Sequence, residues 1–353
     1  MKATLDSAGH PATPAIIGTE AASMPPQQRM QAIVQHEYGS ADVLRVAEID
    51  RPTIRPDEVL IRVHAAGLDR GTWHLMAGMP YLFRLMGPGV RKPKNPVLGL
   101  DVAGTVAAVG ADVTRFAVGD EVFGISRGSF AQYAAAREDK LAHKPANLSF
   151  NQAAVVAISG LTALQSLLDV GRLEAGQRVL IVGASGGVGT YAVQIAKACG
   201  AEVTGVCSTA KVDLVRSIGA DHVIDYTRAD FASGPQRYDL ILDIGGNSSL
   251  SRLRRALAPS GTLVLVGGED GDRWTGGMGR QLQAVVLSPF VRQRLTMKIA
   301  KENYADLERL AGLIEAGKLT PTVDKTYPLD QTPDAMRHLQ AGQARGKIVI
   351  AVA

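Results

Sequence analysis

The stretch VLIVGASGGVGTYAVQIAKACG, Val179 to Gly200, decides how the rest of the chain is read. Its first residues, Val179 to Val182, are the apolar run of a buried strand. They lead into Gly183-Ala184-Ser185-Gly186-Gly187-Val188-Gly189, and a helix-compatible segment follows. A glycine has no Cβ, so a backbone rich in glycine turns tightly and lets a pyrophosphate come close. The helix N-terminus beyond the turn then offers free N–H groups and a favourable dipole. The spacing is Ala184-x-Gly186-x-x-Gly189, with the first glycine of the usual fingerprint replaced. Such a spacing is weak by itself, but a strand before it and a helix after it point to a dinucleotide. Ala184, Ser185, Gly186, Gly187 and Val188 are the candidate phosphate contacts.

The next strand, in EVTGVCSTAK (Glu202–Lys211), bears on which dinucleotide. NAD sites usually place Asp or Glu at its tip to hold the ribose hydroxyls. Here the tip reads Cys207-Ser208-Thr209, followed by Lys211, with no carboxylate. A hydroxyl and an ammonium suit a 2′-phosphate, so Ser208 and Lys211 make NADP(H) the expected cofactor; Lys211 also fits an ordinary solvated lysine. Tyr226, after the following strand, either flanks the adenosine or covers the sheet. Gly245, Val266 and Gly267 end later strands, where a parallel sheet meets its ligand.

Outward from the turn, strands and helices alternate through KVDLVRSIGA, HVIDY, YDLILDIGG, SLSRLRRAL and GTLVLVGG. That alternation indicates a parallel sheet covered on both faces. Residues 151–170, Ala/Leu-rich, read as one long helix. A glycine loop follows Gly268, then a helix over Gln281–Arg294, a strand near Leu295–Ile299 and an amphipathic helix ending at Gly317. Upstream, from Met30 to about Val155, the chain reads as short strands broken by Gly and Pro; Val59, Ile61 and Val63 alternate onto one face. KTYPLD and KIVIAV near the end resemble those strands. The expected fold class is therefore α/β, a β-rich domain (30–155 and 301–353) interrupted by a doubly wound domain (156–300). Residues 1–29, rich in Ala, Pro, Ser and Thr, read as a disordered arm without a signal peptide, and Met30 is a candidate internal start.

Of the 353 residues, 46% are hydrophobic and 20% charged, the balance of a globular protein. A net charge of +4 and 5% aromatics give no support to nucleic-acid binding. No apolar run reaches the ~18 residues of a membrane span. Two cysteines, Cys199 and Cys207, exclude a disulfide framework and fit a reducing, cytoplasmic setting.

The order of parts completes the reading. MQAIVQHEYGSADVLRVAEI is followed by PVLGLDVAGTVAAVG, VGDEVFG, SGLTALQSLL, GASGGVG and finally GKIVI. This resembles the medium-chain dehydrogenase/reductase superfamily, and most closely its zinc-independent quinone oxidoreductase branch. The resemblance, from about Met30 to the C-terminus, implies a GroES-like catalytic domain and a Rossmann domain with the active site between them. It also implies a homodimer that pairs the edges of its nucleotide-binding sheets. Zinc-bearing members carry a catalytic cysteine where Asp69 stands, a Gly-His-Glu where Gly99-Leu100-Asp101 stands, and a third ligand near Ser159. Leu100 cannot bind a metal, Ser159 is a poor ligand and the four structural cysteines are missing, so no zinc is expected.

The resemblance places Asp69 facing the nicotinamide; the residue alone reads equally as a turn or capping carboxylate. His74 matches a position that donates a proton or hydrogen-bonds a carbonyl, with a packed histidine as the alternative. Tyr81 is a candidate for the cleft wall, Thr162 for a site near nicotinamide and phosphates, and Lys347 for the cofactor or substrate cleft. Without a Lewis acid, hydride transfer favours carbons that are already electrophilic, in a quinone or an α,β-unsaturated carbonyl. A metal-free carbonyl or alcohol oxidoreductase, and an NADPH-binding sensor with little turnover, are the alternatives. Asp101, an acid in an apolar run, needs a partner; Arg70 and Lys347 are the candidate cations.

Overall fold

The computed structural model describes residues 28–268, 272–298 and 301–352. Most of the expected N-terminal arm lies outside these residues, but Arg29, assigned to it, opens the first strand. Among the described residues, seven strands come before the strand that enters the glycine turn: β1 (Arg29–Val34), β2 (Arg45–Asp50), β3 (Glu58–Leu68), β4 (Asp101–Val109), β5 (Glu121–Ile125), β6 (Tyr133–Arg137) and β7 (Leu141–His143). Six more are β8 (Arg178–Val182), β9 (Glu202–Cys207), β10 (His222–Asp225), β11 (Tyr238–Asp243), β12 (Leu257–Leu265) and β13 (Arg294–Met297). β14 (Val323–Pro328) and β15 (Lys347–Ala351) end the chain.

β8 to β13 form one parallel sheet in the order β10-β9-β8-β11-β12-β13. The order reverses between β8 and β11, and ligands of such sheets bind at that reversal, beyond the carboxyl ends of the strands. The second large sheet runs β14-β15-β3-β4-β5-β7, with β6 also on β3. β15 pairs antiparallel with β3, so the last strand returns to a sheet begun far upstream. Val59, Ile61 and Val63 of β3 are all buried, as their alternation predicts. The GroES-like and Rossmann architecture read from the sequence is the one observed.

Two readings need correction. Residues 151–170 are not one helix: they break into Phe150–Ala153, Ala157–Gln165 and a wider π turn over Ser166–Val170. The break has a polar cause. The Ile158 N–H donates to Asp101 Oδ1 at 2.7 Å, so a carboxylate from β4 starts the second helix. The helix expected over Gln281–Arg294 runs instead over Met278–Leu287, followed by a short turn at Ser288–Phe290 that contains Pro289. β13 then begins at Arg294, and the far end of the strand expected there, Ile299, lies outside the described residues.

One core joins the domains. Leu161 and Leu164 of the helix Ala157–Gln165, Tyr191 and Ala192 of the helix Gly187–Ala198, and Leu307 and Leu310 of the helix Tyr304–Glu315 pack in a single buried cluster with Phe123 and Val349. Gly160 is where two of these helices meet: a Cβ there would lie 2.9 Å from Leu310 Cδ1.

Candidate active site

The glycine turn links β8 to the helix Gly187–Ala198. Gly183 takes φ +91°, a left-handed conformation that glycine adopts without strain. Gly189 is more constrained: a Cβ there would sit 2.1 Å from the Gly183 carbonyl oxygen. Gly186 caps the helix with extended backbone and no side-chain hydrogen bond, so the N–H groups of the first turn are left for a ligand. Ala184 is fully buried under the turn, Ser185 is nearly so, and Gly187 and Val188 are half-buried. The turn also belongs to the other domain's last strand: the Gly346 N–H donates to Ser185 O at 3.0 Å, and Gly186 and Gly346 form a parallel bridge.

Gly245, Val266 and Gly267 gather at the carboxyl ends of β8, β11 and β12. The Gly245 N–H donates to Val182 O, and the Val266 and Gly267 N–H groups both reach Asp243 O. A Cβ on Gly267 would lie 2.0 Å from Ile244 O. Sequence reading missed what holds these loops. Arg280, on the helix Met278–Leu287, pairs with the fully buried Asp243 at 2.6 Å. It also donates to Ser248 O at 2.6 Å and Gly267 O at 3.0 Å. Burial raises the Asp243 carboxyl above its usual range, with Arg280 opposing. The only signal in the sequence was an aspartate ending an apolar strand.

At the opposite end, Ser208 and Lys211 flank a short turn after β9, and Tyr226 lies exposed after β10. The Lys211 ammonium donates to Gly342 O at 2.9 Å and Ala344 O at 2.7 Å. Two of its three donors are thus engaged. Asp225, also unforeseen, ends β10 opposite Cys207. Its carboxylate accepts from Thr209 Oγ1 at 2.5 Å and from Thr227, and these bonds hold it below its ordinary range.

Asp69 takes the capping role. It caps the helix Arg70–Ala77, with Oδ1 accepting from Thr72 N at 2.7 Å and Thr72 Oγ1 at 3.1 Å. Its other oxygen, Oδ2, is buried without a hydrogen-bond partner. His74 lies one turn along; its Nδ1 is 2.7 Å from Met79 O. A carbonyl only accepts, so Nδ1 carries a proton and the neutral ring offers Nε2 as an acceptor. Tyr81 packs edge-on to Trp274 across the domains, centroids 5.2 Å apart. Thr162 is half-buried, and its hydroxyl donates to Ile158 O within its own helix.

Lys347 is not a solvated lysine: its ammonium lies 3.0 Å from Asp101 Oδ2, with lysine and aspartate almost wholly buried. Of the two candidate cations, Lys347 is therefore the partner of Asp101. Only its stem approaches the phosphate turn, where a Cβ on Gly187 would lie 2.9 Å from Lys347 Cδ. Burial pushes the Asp101 carboxyl up to about 6; Lys347 pulls it down, and the nearby charge of Asp69 raises it.

The donor set does not suit zinc. Asp69 is at the first position, Leu100 at the second and Ser159 at the third; among the described residues no group of three or more His, Cys, Asp or Glu could hold a metal ion.

A glycine turn at the switch point of a Rossmann-like sheet, bridged to the last strand of a GroES-like sheet, is the architecture of two-domain nicotinamide-dependent oxidoreductases. Residues 55–146 match the alcohol dehydrogenase GroES-like domain, and residues 218–350 match a family described as zinc-binding dehydrogenase. The mouse mitochondrial NAD(P)H oxidoreductase RTN4IP1 is 35% identical, over 92% of this chain and 89% of that protein. The tomato 2-methylene-furan-3-one reductase is 32% identical, over 91% and 79%. The quinone oxidoreductase structure from Coxiella burnetii superposes with a TM-score of 0.82 at 27% identity, covering 92% of this chain and all of that one. The chain belongs to the medium-chain dehydrogenase/reductase superfamily, in its zinc-independent quinone oxidoreductase-like branch, and is an oxidoreductase.

Proposed function

We propose that this enzyme uses NADPH to reduce a quinone or an α,β-unsaturated carbonyl without a metal. The observation that carries the reading is the buried, unpartnered Asp69 Oδ2 on the helix that also bears His74, with Leu100 where a zinc ligand would stand. The residues fit a dinucleotide: the open backbone at Gly186 and the uncapped helix N-terminus would hold the pyrophosphate, and Gly245, Val266 and Gly267 would border the nicotinamide. When bound, the cofactor supplies a hydride to an electrophilic carbon. Asp69 Oδ2 accepts a hydrogen bond from a donor on the bound ligands, because an unpaired buried carboxylate oxygen is costly otherwise. His74 holds a proton on Nδ1 against Met79 O, so only the imidazolium form has a second proton, on Nε2, to give to an enolate carbon or oxygen. Arg280 binds the Gly267 and Ser248 carbonyls and so fixes the loops that follow β11 and β12.

Ser208, Lys211 and Tyr226 support a 2′-phosphate, and Arg345 adds positive charge beside Lys211. Asp225 does not oppose this, since Thr209, Thr227 and Arg228 already occupy its oxygens. The Arabidopsis relative named NADPH-dependent alkenal/one oxidoreductase, 32% identical over 98% of this chain, favours both cofactor and substrate class. A homodimer is supported by β13, which ends its sheet, and by the helix beside it and the turn after that helix, which expose Leu282, Val286 and Phe290. Among the described residues no helix is long and apolar enough to cross a membrane. The two free cysteines favour a reducing compartment such as the cytoplasm, although several relatives carry mitochondrial or chloroplastic names.

The test is cofactor oxidation against a panel of quinones, enones and saturated aldehydes, with and without chelator. Turnover of quinones or enones with NADPH, indifferent to chelator, is expected. Equal rates with NADH would overturn the phosphate assignment, and loss of activity on chelation the metal-free one.

A further inference from the structure

The far edge of the Rossmann sheet carries a second cavity, and it is lined with arginine. The helix Leu250–Ala256 buries Leu250, Leu253 and Ala256 and leaves Arg255 exposed in its last turn. Arg254 and Arg255 line a cavity of about 400 Å³ together with Ser251, Pro259, Arg292 and Gln293. Pro259 lies early in β12, and Arg292 and Gln293 come just before β13. These strands are parallel to β8 and β11, so the cavity lies toward their amino ends, whereas the glycine turn lies at the carboxyl ends. It is therefore separate from the candidate cofactor site.

Gln293 organises this cavity. Its Oε1 accepts from Arg254 Nε at 2.9 Å, and its amide donates to Arg254 O at 3.0 Å. The same amide reaches Leu257 O at 3.4 Å and Ala258 O at 3.3 Å. The carbonyls at the helix end are thus satisfied, and Arg254 is pinned through Nε with both terminal amino groups left to donate. Among the described residues, Arg255 and Arg292 have no hydrogen-bond or salt-bridge partner. Asp230, the acid that feels the charge of Arg255, is already bound by Arg252 and by the Ala232 N–H, each at 2.9 Å. No carboxylate lines the cavity, so three guanidiniums repel one another there until an anion enters.

We infer that this cavity binds a small phosphate-bearing anion, free or esterified, with the Arg254 fork and Arg292 on its oxygens. Arginine at all three positions suits the planar, two-point recognition of phosphate, for which lysine offers only a point charge. Arg254 is held in advance, so little of its freedom is lost when the anion arrives. The volume lies in the range of small-molecule sites. The inference is independent of the reduction proposed above.

The experiment is calorimetric titration of the full-length protein with inorganic phosphate, pyrophosphate, glycerol 3-phosphate and sulfate at one ionic strength. NADPH is present throughout, to keep the glycine turn from reporting. At least one phosphate compound should bind more tightly than sulfate, and Arg254→Gln and Arg292→Gln should each raise its Kd about tenfold or more. Gln293→Leu keeps every charge but frees Arg254, and should raise Kd roughly threefold or more. Arg62→Gln removes the same charge from an exposed position on β3 and should leave Kd unchanged. Arg292 is exposed, so an unchanged Tm in its variant checks folding. Tightest binding of the free ions would identify the ligand as inorganic, and tightest binding of glycerol 3-phosphate as an ester; either supports the site. No phosphate compound binding above sulfate would overturn it. Binding that persists in both arginine variants would overturn its placement in this cavity, and an equal loss in Arg62→Gln would reduce it to net charge.

Discussion

Lys347 and Asp101 form a charged pair that neither solvent nor salt can reach, and such a pair is judged by what happens when one member goes. Removing Lys347 leaves an uncompensated carboxylate inside the protein, which costs about 3–5 kcal/mol. Lys347→Met is therefore expected to lower stability by that order, and Asp101→Leu combined with it to recover most of the loss, both read by denaturant unfolding. The pair also predicts a pH dependence. The folded protein holds the Asp101 proton up to about pH 6, whereas the unfolded chain releases it near 3.8. Between those values the native state binds more protons, so this group's contribution to stability falls as pH rises. In Asp101→Asn that component of the Tm–pH slope between about 4 and 6 should vanish; an unchanged slope would assign it elsewhere.

Among the elements, the glycine turn is the most exacting. Gly189→Ala places a methyl against the Gly183 carbonyl, and the strand and helix must separate to admit it. A loss of about 1–3 kcal/mol is expected, with cofactor affinity lowered roughly tenfold or more, measured by fluorescence titration. The turn was legible because its meaning is local: strand, glycines and helix are consecutive. β3 was legible for the same reason, its alternation being written residue by residue. The helix at residues 151–170 was misread because its interruption comes from Asp101, some fifty residues upstream. Arg280 was missed likewise: it acts on Asp243 and on the Gly267 carbonyl across the fold, and the sequence reads it as the end of a glycine loop. Arg280→Ala should raise KM for the cofactor more than it lowers kcat, if its task is to shape the loops around the nicotinamide; a fall in kcat alone would argue against that.

At the scale of the molecule, the free edge of β13 and the apolar face of the neighbouring helix should be buried together by a second copy. Val286→Glu is expected to shift the protein from dimer to monomer in sedimentation velocity, and a monomeric wild type would overturn the arrangement. Family membership was readable from motif order, since several short motifs in one sequence are hard to match by chance. The partner of Asp101 was narrowed but not chosen by sequence, because Lys347 is 246 positions away and reaches it only when β15 folds beside β3.

The bridge between Gly186 and Gly346 has a consequence for anyone recombining relatives. A chimera that exchanged only the stretch from β8 to β13 would take the phosphate turn away from the Gly346 N–H that steadies Ser185, and take Lys211 away from the carbonyls of Gly342 and Ala344. On the cofactor reading proposed above, the transplantable unit is therefore discontinuous. It includes residues 342–347, which arrive from the far end of the gene.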